Sequence, residues 1–280
     1  MNIPFIKIQN VGNDYFYIDK KSLSRHKISK SVLAKRICDR HKGVGSDGIF
    51  IVEKTSPNSS FVEMFNSDGS SMEFCGNGVR GTALYLKDKY KSKSKLFYVS
   101  TSHGEYEIKV KESSDSSLQS RLRIGNPSFD SSVIGYSKKS KSCLGVKIKG
   151  VRKTWISYGV AMPNPHAVIF VDNFEFDWQK EGSIIENSSL FKNRINVMFT
   201  RVDSKKKLTV RPWERGAGAT LSCGSGAAAA AVICGLLGYT KDYVSVYMPG
   251  GMLKTEWDIS ENTVYQEGSS EIVCSGLYRF

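Results

Sequence analysis

The sequence has 280 residues and a hydrophobic fraction of 40%, which is enough for one large domain or two of ordinary size and argues against extensive disorder. We find no apolar run of about 18 residues and no signal-peptide pattern, and therefore expect a cytoplasmic protein without a membrane span. The formal net charge of +13 would suit a nucleic-acid partner. However, the excess lysine lies in short Lys/Ser clusters without a nucleic-acid motif, so we interpret them as solvated loops and expect no such partner.

The six cysteines form no C-x-x-C pair. Their spacing therefore predicts no metal site, and disulfides are not expected in a reducing compartment. A free cysteine in such a chain is usually a small buried hydrophobic residue. Cys75 and Cys223 depart from this rule because of the residues that follow them.

Short strands separated by turn residues dominate the predicted elements. In chain order, the predicted strands are residues 5–8, 15–18, 49–52, 61–65, 97–101, 106–110, 167–171, 208–212 and 244–248. Two helices are predicted directly after the two cysteines, over residues 76–89 and 224–237. The second helix contains five consecutive alanines and is expected to end at Gly238 as its C-cap. We expect two halves of the chain to part within the Lys/Ser-rich segment 111–120.

An internal repeat supports this division into halves. Cys75-Gly76-Asn77-Gly78 is matched by Cys223-Gly224-Ser225-Gly226, at an offset of 223 − 75 = 148 residues. Two further matches lie near this offset: Asn13 with Asn164 (164 − 13 = 151) and Gly104 with Gly251 (251 − 104 = 147). Three matches in the same order predict two structurally similar halves, each with several mostly antiparallel strands around one apolar helix.

A cysteine at the start of a helix has chemistry that one in a core lacks. The unpaired N–H groups and partial positive charge of the helix N-terminus stabilise a thiolate and also bind a substrate carboxylate. We therefore expect a lowered pKa for both Cys75 and Cys223. Two such sites in similar halves can face one carbon from opposite sides, where a thiolate removes a proton and a thiol returns one. This pattern indicates inversion of an amino-acid stereocentre.

Polar residues around the two cysteines fit an amino-acid substrate. Asn66 precedes the first cysteine, and its amide can bond a zwitterion. Before the second cysteine, Arg215 can clamp a carboxylate and Glu214 can receive an ammonium. Taken singly, Asn66 also fits a turn, Glu214 and Arg215 a surface ion pair, and His166 a structural role. Their order around the cysteines is what favours a site.

These motifs resemble those of the diaminopimelate epimerase family along nearly the whole chain. The matching segments are Gly12-Asn13-Asp14, Arg40-His41-Lys42-Gly43-Val44-Gly45, residues 66–80, Asn164-Pro165-His166, residues 214–226 and Pro249-Gly250-Gly251. The resemblance implies an α+β fold of two pseudo-symmetric halves, each a strongly curved, mostly antiparallel sheet around a central helix, with the active site in the cleft between them. It places the halves at residues 1–122, which carry Cys75, and 123–269, which carry Cys223, with segment 270–280 returning to the first half.

The resemblance also implies an activity: interconversion of LL- and meso-2,6-diaminopimelate, for lysine and peptidoglycan precursor synthesis, by a cytoplasmic homodimer without cofactor or metal. Carried over by position, Cys75 and Cys223 form the acid–base pair, assisted by His166 and Glu214. The implied substrate contacts are Asn13, Asn66, Gly76, Asn77, Asn164, Asn196, Glu214, Arg215, Gly224 and Ser225.

Some positions depart from the family pattern. Gly48 stands where a glutamine usually contacts substrate, and Cys274 stands at an aromatic position associated with the dimer contact. Two alternatives therefore remain open: a related cofactor-independent racemase of another amino acid such as glutamate or proline, and a non-catalytic binding protein on the same fold. A basic nucleic-acid-binding protein with structural cysteines lacks the motif it would need.

Overall fold

A computed structural model describes residues 2–24, 28–151 and 153–280. These residues divide into two compact units, Met1–Arg123 with Glu267–Phe280, and Ile124–Gln266. In the described part of the chain, no helix has both the length and the apolar character needed to cross a membrane.

The first unit contains seven consecutive strands and three helices among its described residues. The strands are β1 (Asn2–Asn10), β2 (Asn13–Asp19), β3 (Gly48–Ser56), β4 (Ser59–Asn66), β5 (Leu96–Thr101), β6 (Gly104–Ser113) and β7 (Ser117–Gly125), whose last two residues extend into the second unit. The helices are α1 (Lys20–Ser24), α2 (Lys30–Cys38) and α3 (Gly76–Tyr90). The final strand of the chain, β16 (Thr263–Arg279), pairs antiparallel with β1.

The second unit contains the remaining elements. Its strands are β8 (Val146–Lys149), β9 (Thr154–Met162), β10 (Asn164–Phe170), β11 (Asn196–Ser204), β12 (Lys207–Glu214), β13 (Gly218–Ala219), β14 (Tyr243–Met248) and β15 (Gly251–Asp258), with the first residues of β16. Its helices are α4 (Ser131–Ile134), α5 (Trp178–Glu186) and α6 (Gly224–Leu236).

The two units share one topology. In the first, β1–β2, β3–β4 and β5–β6 are antiparallel hairpins joined side by side by the parallel pairs β2–β3 and β4–β5. In the second, β9–β10, β11–β12 and β14–β15 are the hairpins, and β10–β11 and β12–β14 are the parallel pairs. A parallel pair needs a crossover connection, and α3 and α6 each lie in the connection before the third hairpin.

The N-terminal part of the central helix is buried in each unit. In α3 every residue from Gly76 to Leu86 is buried, and in α6 every residue from Gly224 to Cys234 is. The run of five alanines keeps α6 thin and strongly helical, which allows strands to approach it closely. Burial of this kind fixes the start of each helix against its sheet.

The α+β class and the nine predicted strands are confirmed, except that Val171 follows the end of β10. All three repeat matches fall at equivalent places: the cysteines precede α3 and α6, Asn13 and Asn164 begin β2 and β10, and Gly104 and Gly251 begin β6 and β15. The last pair shares a left-handed backbone, with φ of 149° and 141°.

Two local predictions are wrong. Segment 111–120 is not a boundary, because it forms the hairpin between β6 and β7 and is held there by strand pairing. The predicted C-cap of α6 is wrong by one position, because the cap is Leu237. Gly238 is the left-handed residue after it (φ 71°), and the amides of Gly238 and Tyr239 donate to the carbonyls of Gly235 and Cys234, so the glycine does end the helix. No prediction was made for β7, β8, β9, β11, β13, β15 and β16, nor for the four shorter helices.

Candidate active site

Cys75 is the N-cap of α3. Its backbone is extended (φ −147°, ψ 96°), and its Sγ accepts a hydrogen bond of 3.3 Å from the amide of Gly78. The same Sγ lies 3.1 Å from Tyr15 Oη, on β2. Gly76, the first helical residue, is buried behind the cysteine. The thiol is thus held between a helix N-terminus and a phenol.

Asn77 and Asn13 are linked beside this cysteine. Asn77 Nδ2 donates to Asn13 Oδ1 at 2.8 Å, and Asn13 Nδ2 donates to Asp47 Oδ2 at 3.2 Å. Asp47 also accepts from the backbone of Asp14 and from Arg40. This chain of hydrogen bonds fixes the orientation of both asparagine amides.

Arg80 lies one turn further along α3 and is completely buried. Its Nη2 donates to Asn77 Oδ1, whereas its Nε and Nη1 have no hydrogen-bond partner among the described residues. Tyr17 is buried in the same region and donates from its hydroxyl to the carbonyl of Gly78 at 2.6 Å. A cation therefore lies under the first turn of the helix that begins at Cys75.

Asn66 ends β4 and begins a tight turn. Its Nδ2 donates to Ser70 Oγ at 2.9 Å, and its carbonyl accepts from Gly69, whose φ is 80°. The turn role that its sequence also fitted is thus present. Whether Asn66 contacts substrate stays a prediction.

Cys223 has the same cap geometry at the start of α6. Its backbone is extended (φ −137°, ψ 105°), and its Sγ accepts a 3.3 Å hydrogen bond from Gly226. Its Sγ also lies 3.6 Å from Ser225 Oγ. Gly224 and Ser225, the first two helical residues, are both buried. The cysteine itself is only 4% exposed.

The electrostatic setting of Cys223 favours the protonated thiol. Burial raises its pKa well above the ordinary value, and the charge of Glu214, which also accepts a hydrogen bond from the thiol, raises it further. Glu214 is oriented by Thr220, whose hydroxyl donates to Glu214 Oε1 at 2.5 Å. The lowered pKa expected from the sequence is therefore wrong for Cys223, since burial and a carboxylate outweigh the helix amides.

His166 is completely buried, and its Nε2 lies 3.2 Å from Ser225 Oγ. Burial lowers the pKa of this imidazole to about 3, and the charge of Arg215 lowers it too, outweighing the opposite effect of the Asn164 backbone. His166 is therefore neutral at physiological pH. It reaches Cys223 through Ser225 rather than by direct contact.

Asn196 and Arg215 are tied to each other. Asn196 donates from Nδ2 to the carbonyl of Pro165 at 2.9 Å, and its Oδ1 accepts from the amide of Arg215 at 2.9 Å. The Arg215 guanidinium donates to the carbonyl of Asn193 at 3.0 Å. Asn164, at the start of β10, has a buried Oδ1 with no hydrogen-bond partner in the described residues. That oxygen is an acceptor available to a ligand.

Glu186 was missed by the sequence analysis, although it organises the loop that follows β12. One carboxylate oxygen accepts from Gly216 at 2.9 Å and from Arg194 at 2.8 Å, and the other accepts from Trp213 at 2.7 Å. It lies in a part of the sequence without turn or cysteine motifs, so no local signal singled it out. Tyr15, Tyr17 and Thr220 lie in or shortly after matched segments, but no motif singled out their side chains.

Solved structures with low sequence identity define the fold class. The hydroxyproline epimerase from Agrobacterium vitis with bound trans-4-OH-L-proline superposes with a TM-score of 0.71 at 10% identity, covering 99% of this chain and 90% of that one. The Bacillus anthracis phenazine biosynthesis protein of the PhzF family gives a TM-score of 0.69 at 13% identity, with each chain covered completely. The chain thus has the fold shared by these proteins.

Sequence comparison is more specific. The family model described as diaminopimelate epimerase matches residues 5–129 and 158–273. A diaminopimelate epimerase of Caldanaerobacter subterraneus subsp. tengcongensis is 37% identical over 97% of this chain and 98% of its own length. The enzyme of the same name from Carboxydothermus hydrogenoformans is 36% identical over 99% of both chains. The chain belongs to the diaminopimelate epimerase family, as the sequence motifs predicted.

Proposed function

We propose that this protein is a diaminopimelate epimerase that interconverts LL- and meso-2,6-diaminopimelate with Cys75 and Cys223 as its acid–base pair. Family membership supports the substrate class. The observation that carries the mechanism is the repeated placement of a cysteine as helix N-cap, with its Sγ 3.3 Å from the amide three residues on, in both units. Such a reaction serves lysine and peptidoglycan precursor synthesis.

The proposed reaction moves one proton onto a thiolate and another off a thiol. With Cys75 as base, its thiolate takes the α-proton, so that a Cα–H bond breaks and an S–H bond forms. Cys223 then gives its proton to the opposite face of the carbanion, leaving a thiolate that a later turnover in the reverse direction uses. Cys223 suits the donor role because the Glu214 carboxylate and burial keep it protonated.

The carbanion needs its charge drawn into the adjacent carboxylate. Helix N-termini supply this, since the first N–H groups of a helix have no intrahelical acceptor and carry partial positive charge. We assign this role to the amides of Gly76 and Asn77 in α3 and of Gly224 and Ser225 in α6. The remaining substrate contacts are assigned to Asn13, Asn66, Asn164, Asn196, Glu214 and Arg215, with His166 acting through Ser225.

We further propose that the enzyme works in the cytoplasm as a homodimer and needs no added cofactor. Gel filtration with light scattering tests the oligomeric state directly. A protein of one-chain mass at assay concentration would contradict the dimer.

Solvent-deuterium exchange tests the proposed activity. Purified protein without added cofactor is expected to exchange the α-hydrogen of LL-diaminopimelate in D2O, read by NMR or mass spectrometry. The single variants Cys75→Ala and Cys223→Ala are expected to abolish epimerisation, whereas Cys143→Ala, at a buried cysteine outside both helix caps, is the matched control.

A panel of amino acids separates the second candidate function, a racemase of another amino acid. The observation that favours including it is Gly48, where an added Cβ would lie 2.4 Å from the carbonyl oxygen of Phe65, so that this backbone holds no side chain there. Exchange of glutamate or proline but not of diaminopimelate would overturn the substrate assignment. Full activity of either cysteine variant would overturn the two-base mechanism.

A further inference from the structure

The buried guanidinium of Arg80 is not explained by the contacts that hold the fold. Among the residues that the structure describes, Arg80 is the largest completely buried side chain, yet only its Nη2 has a hydrogen-bond partner there. Within the described part of the chain, no carboxylate lies within ion-pair distance of it. An unpaired buried charge is strongly unfavourable, so the protein must gain something from placing one here.

The neighbours of Arg80 leave one group able to balance its charge. Tyr17 hydrogen-bonds to the Gly78 carbonyl and to Asn10, and burial raises its pKa well above the ordinary value, so it stays a neutral phenol. Asn77 is neutral. Cys75, which begins the same helix, is the remaining ionisable group that interacts with the guanidinium.

The second unit provides a comparison position. The repeat offset places Ala228 at the position of Arg80 (228 − 80 = 148) and Glu214 at the position of Asn66 (214 − 66 = 148). The first cysteine thus has a buried cation and a neutral amide at positions where the second has a methyl group and a carboxylate. The two cysteines share their helix-cap geometry and differ in the sign of the nearby charge.

We propose that Arg80 is a positioning residue whose buried charge stabilises Cys75 as the resting thiolate, so that Cys75 is the base and Cys223 the proton donor before substrate binds. This role rests on the proposed function. It makes Arg80 the residue that determines which of the two cysteines is ionised. Arg80 acts through Cys75 and through Asn77, to which it donates a hydrogen bond.

The coupling between the two groups is reciprocal. Burial lowers the pKa of Arg80 to about 10, and a thiolate at Cys75 opposes this decrease. Arg80 therefore remains a cation at neutral pH, and the attraction that stabilises it stabilises the thiolate equally. Low dielectric around a completely buried side chain makes this attraction larger than at a surface.

Among the described groups on elements packed against α3, the charged Asp19 lies at the far end of the helix, where it pairs with Lys89 and accepts from Tyr90. From β2, Tyr15 Oη accepts a hydrogen bond of 3.1 Å from the Cys75 thiol, and once Cys75 is ionised the phenol is the group that can donate. From β6, Tyr106 packs on Phe74, and burial raises its pKa. Beside Gly78 and Gly81, β3 contributes Phe50 and β1 contributes Asn10, which are both uncharged.

The experiment measures the pH dependence of Cys75 alkylation. Iodoacetamide reacts with the thiolate, and peptide-level mass spectrometry reads each cysteine separately. Wild type is compared with Arg80→Met, which removes the charge at similar volume, and Arg80→Lys, which keeps it. We expect the alkylation midpoint of Cys75 to rise by about one pH unit or more in Arg80→Met, and by less in Arg80→Lys. The acid limb of kcat/KM should move by the same amount.

Cys274 is the internal control, because it is exposed and its midpoint should not change in either variant. A folded Arg80→Met protein with an unchanged Cys75 midpoint overturns the proposal. An equal shift of Cys75 and Cys274 overturns it too, since the effect is then not local.

A stability measurement covers the case in which Arg80→Met does not fold alone. In a Cys75→Ser background the cation has already lost its anion, so Arg80→Met is expected to destabilise the protein less there than in wild type. Equal destabilisation in both backgrounds, or failure to fold in both, contradicts the pairing.

Alkylation needs no substrate, so this test is separate from the test of function. An Arg80-dependent midpoint in a protein that exchanges no diaminopimelate supports the role of Arg80 and overturns the substrate assignment. Exchange with an Arg80-independent midpoint overturns the role of Arg80 alone.

Discussion

The two cysteine sites are alike in backbone and opposite in electrostatics. Each cysteine caps a buried helix and accepts from the amide three residues later at 3.3 Å. Their second partners differ, because Tyr15 lies beside Cys75 and Ser225 beside Cys223. Tyr15 and His166 occupy equivalent places, each the third residue of its strand. The repeat thus gives both sites the same backbone geometry, and different residues at matched positions give the two cysteines different neighbours.

This difference is useful to a reaction that needs one thiolate and one thiol. Two identical sites would ionise at the same pH, and the productive state with one proton would have no preferred arrangement. A carboxylate beside Cys223 breaks that symmetry, because it keeps this cysteine protonated.

The closest packing of each helix on its sheet occurs at matched glycines, Gly78 and Gly226. A Cβ added at Gly78 would lie 2.0 Å from the ring of Phe50, whereas one at Gly226 would lie 2.3 Å from the sulfur of Met198. A buried phenyl ring cannot move aside as a thioether can. We expect Gly78→Ala to lower the free energy of unfolding by about 3 kcal/mol and Gly226→Ala by about 1 kcal/mol.

Urea unfolding of both variants at one pH measures this pair. A larger loss for Gly226→Ala than for Gly78→Ala would show that the second helix is the more rigidly packed. Gly145→Ala is the control for glycine replacement without crowding, since no atom lies within 4 Å of its added Cβ, although its φ of 75° adds backbone strain.

His166 gives the second unit an acid sensitivity that Tyr15 cannot give the first. Its folded pKa of about 3 lies below the ordinary 6.5, so the unfolded chain takes up a proton that the folded protein refuses between these values. The contribution of His166 to the free energy of unfolding is therefore fully present above pH 6.5. It falls by about 1.4 kcal/mol per pH unit as the pH decreases toward 3.

The measurement is the free energy of unfolding at pH 7.5, 6 and 5 for wild type and His166→Asn. At pH 5 we expect the His166 contribution to have decreased by about 2 kcal/mol in wild type and not in the variant. Tyr15→Phe should retain the wild-type dependence of the free energy of unfolding on pH. An acid slope that survives His166→Asn means that other groups cause it.

One carboxylate orders a polar loop in each unit, Asp47 in the first and Glu186 in the second. We expect the more buried carboxylate to contribute more to the free energy of unfolding. Glu186 is 4% exposed and accepts from three donors, whereas the Asp47 side chain is 35% exposed. We expect Glu186→Gln to cost about 1–2 kcal/mol and Asp47→Asn less than about 1 kcal/mol. Thermal melts of the two variants check the order, and equal shifts would indicate that exposure does not weaken the Asp47 contacts.

Local sequence signals were sufficient for the strands and helices with strong patterns. Alternating burial in β5 and β6 matches the predicted strands, and the glycines after Cys75 and Cys223 marked both helix starts. Strand β7 was missed because its sequence, Ser117–Gly125, is rich in serine and arginine and reads as a loop. Pairing with β6 makes it a strand, and this pairing is a tertiary effect.

The residues of the candidate site also divide into those that the sequence indicated and those that it did not. Motif order identified Cys75, Cys223 and Glu214 before any coordinates, because each lies in a short segment with several constrained residues. Glu186 and Tyr15 could not be identified, because their contacts with the loop after β12 and with Cys75 Sγ have no sequence signature. The expected low pKa of Cys223 failed for a related reason: burial and the proximity of Glu214 depend on the fold.

The sequence by itself determined the family and the repeat, and it placed two cysteines directly before matched helices, since these are properties of residue order. The tertiary structure decided the charge around each cysteine. Among the described residues, it buries Arg80 of α3 with no carboxylate within ion-pair distance and brings Glu214 against Cys223. Electrostatic effects depend on distance and desolvation, which residue order does not specify. Two helix starts that match in sequence therefore differ in the protonation state they favour.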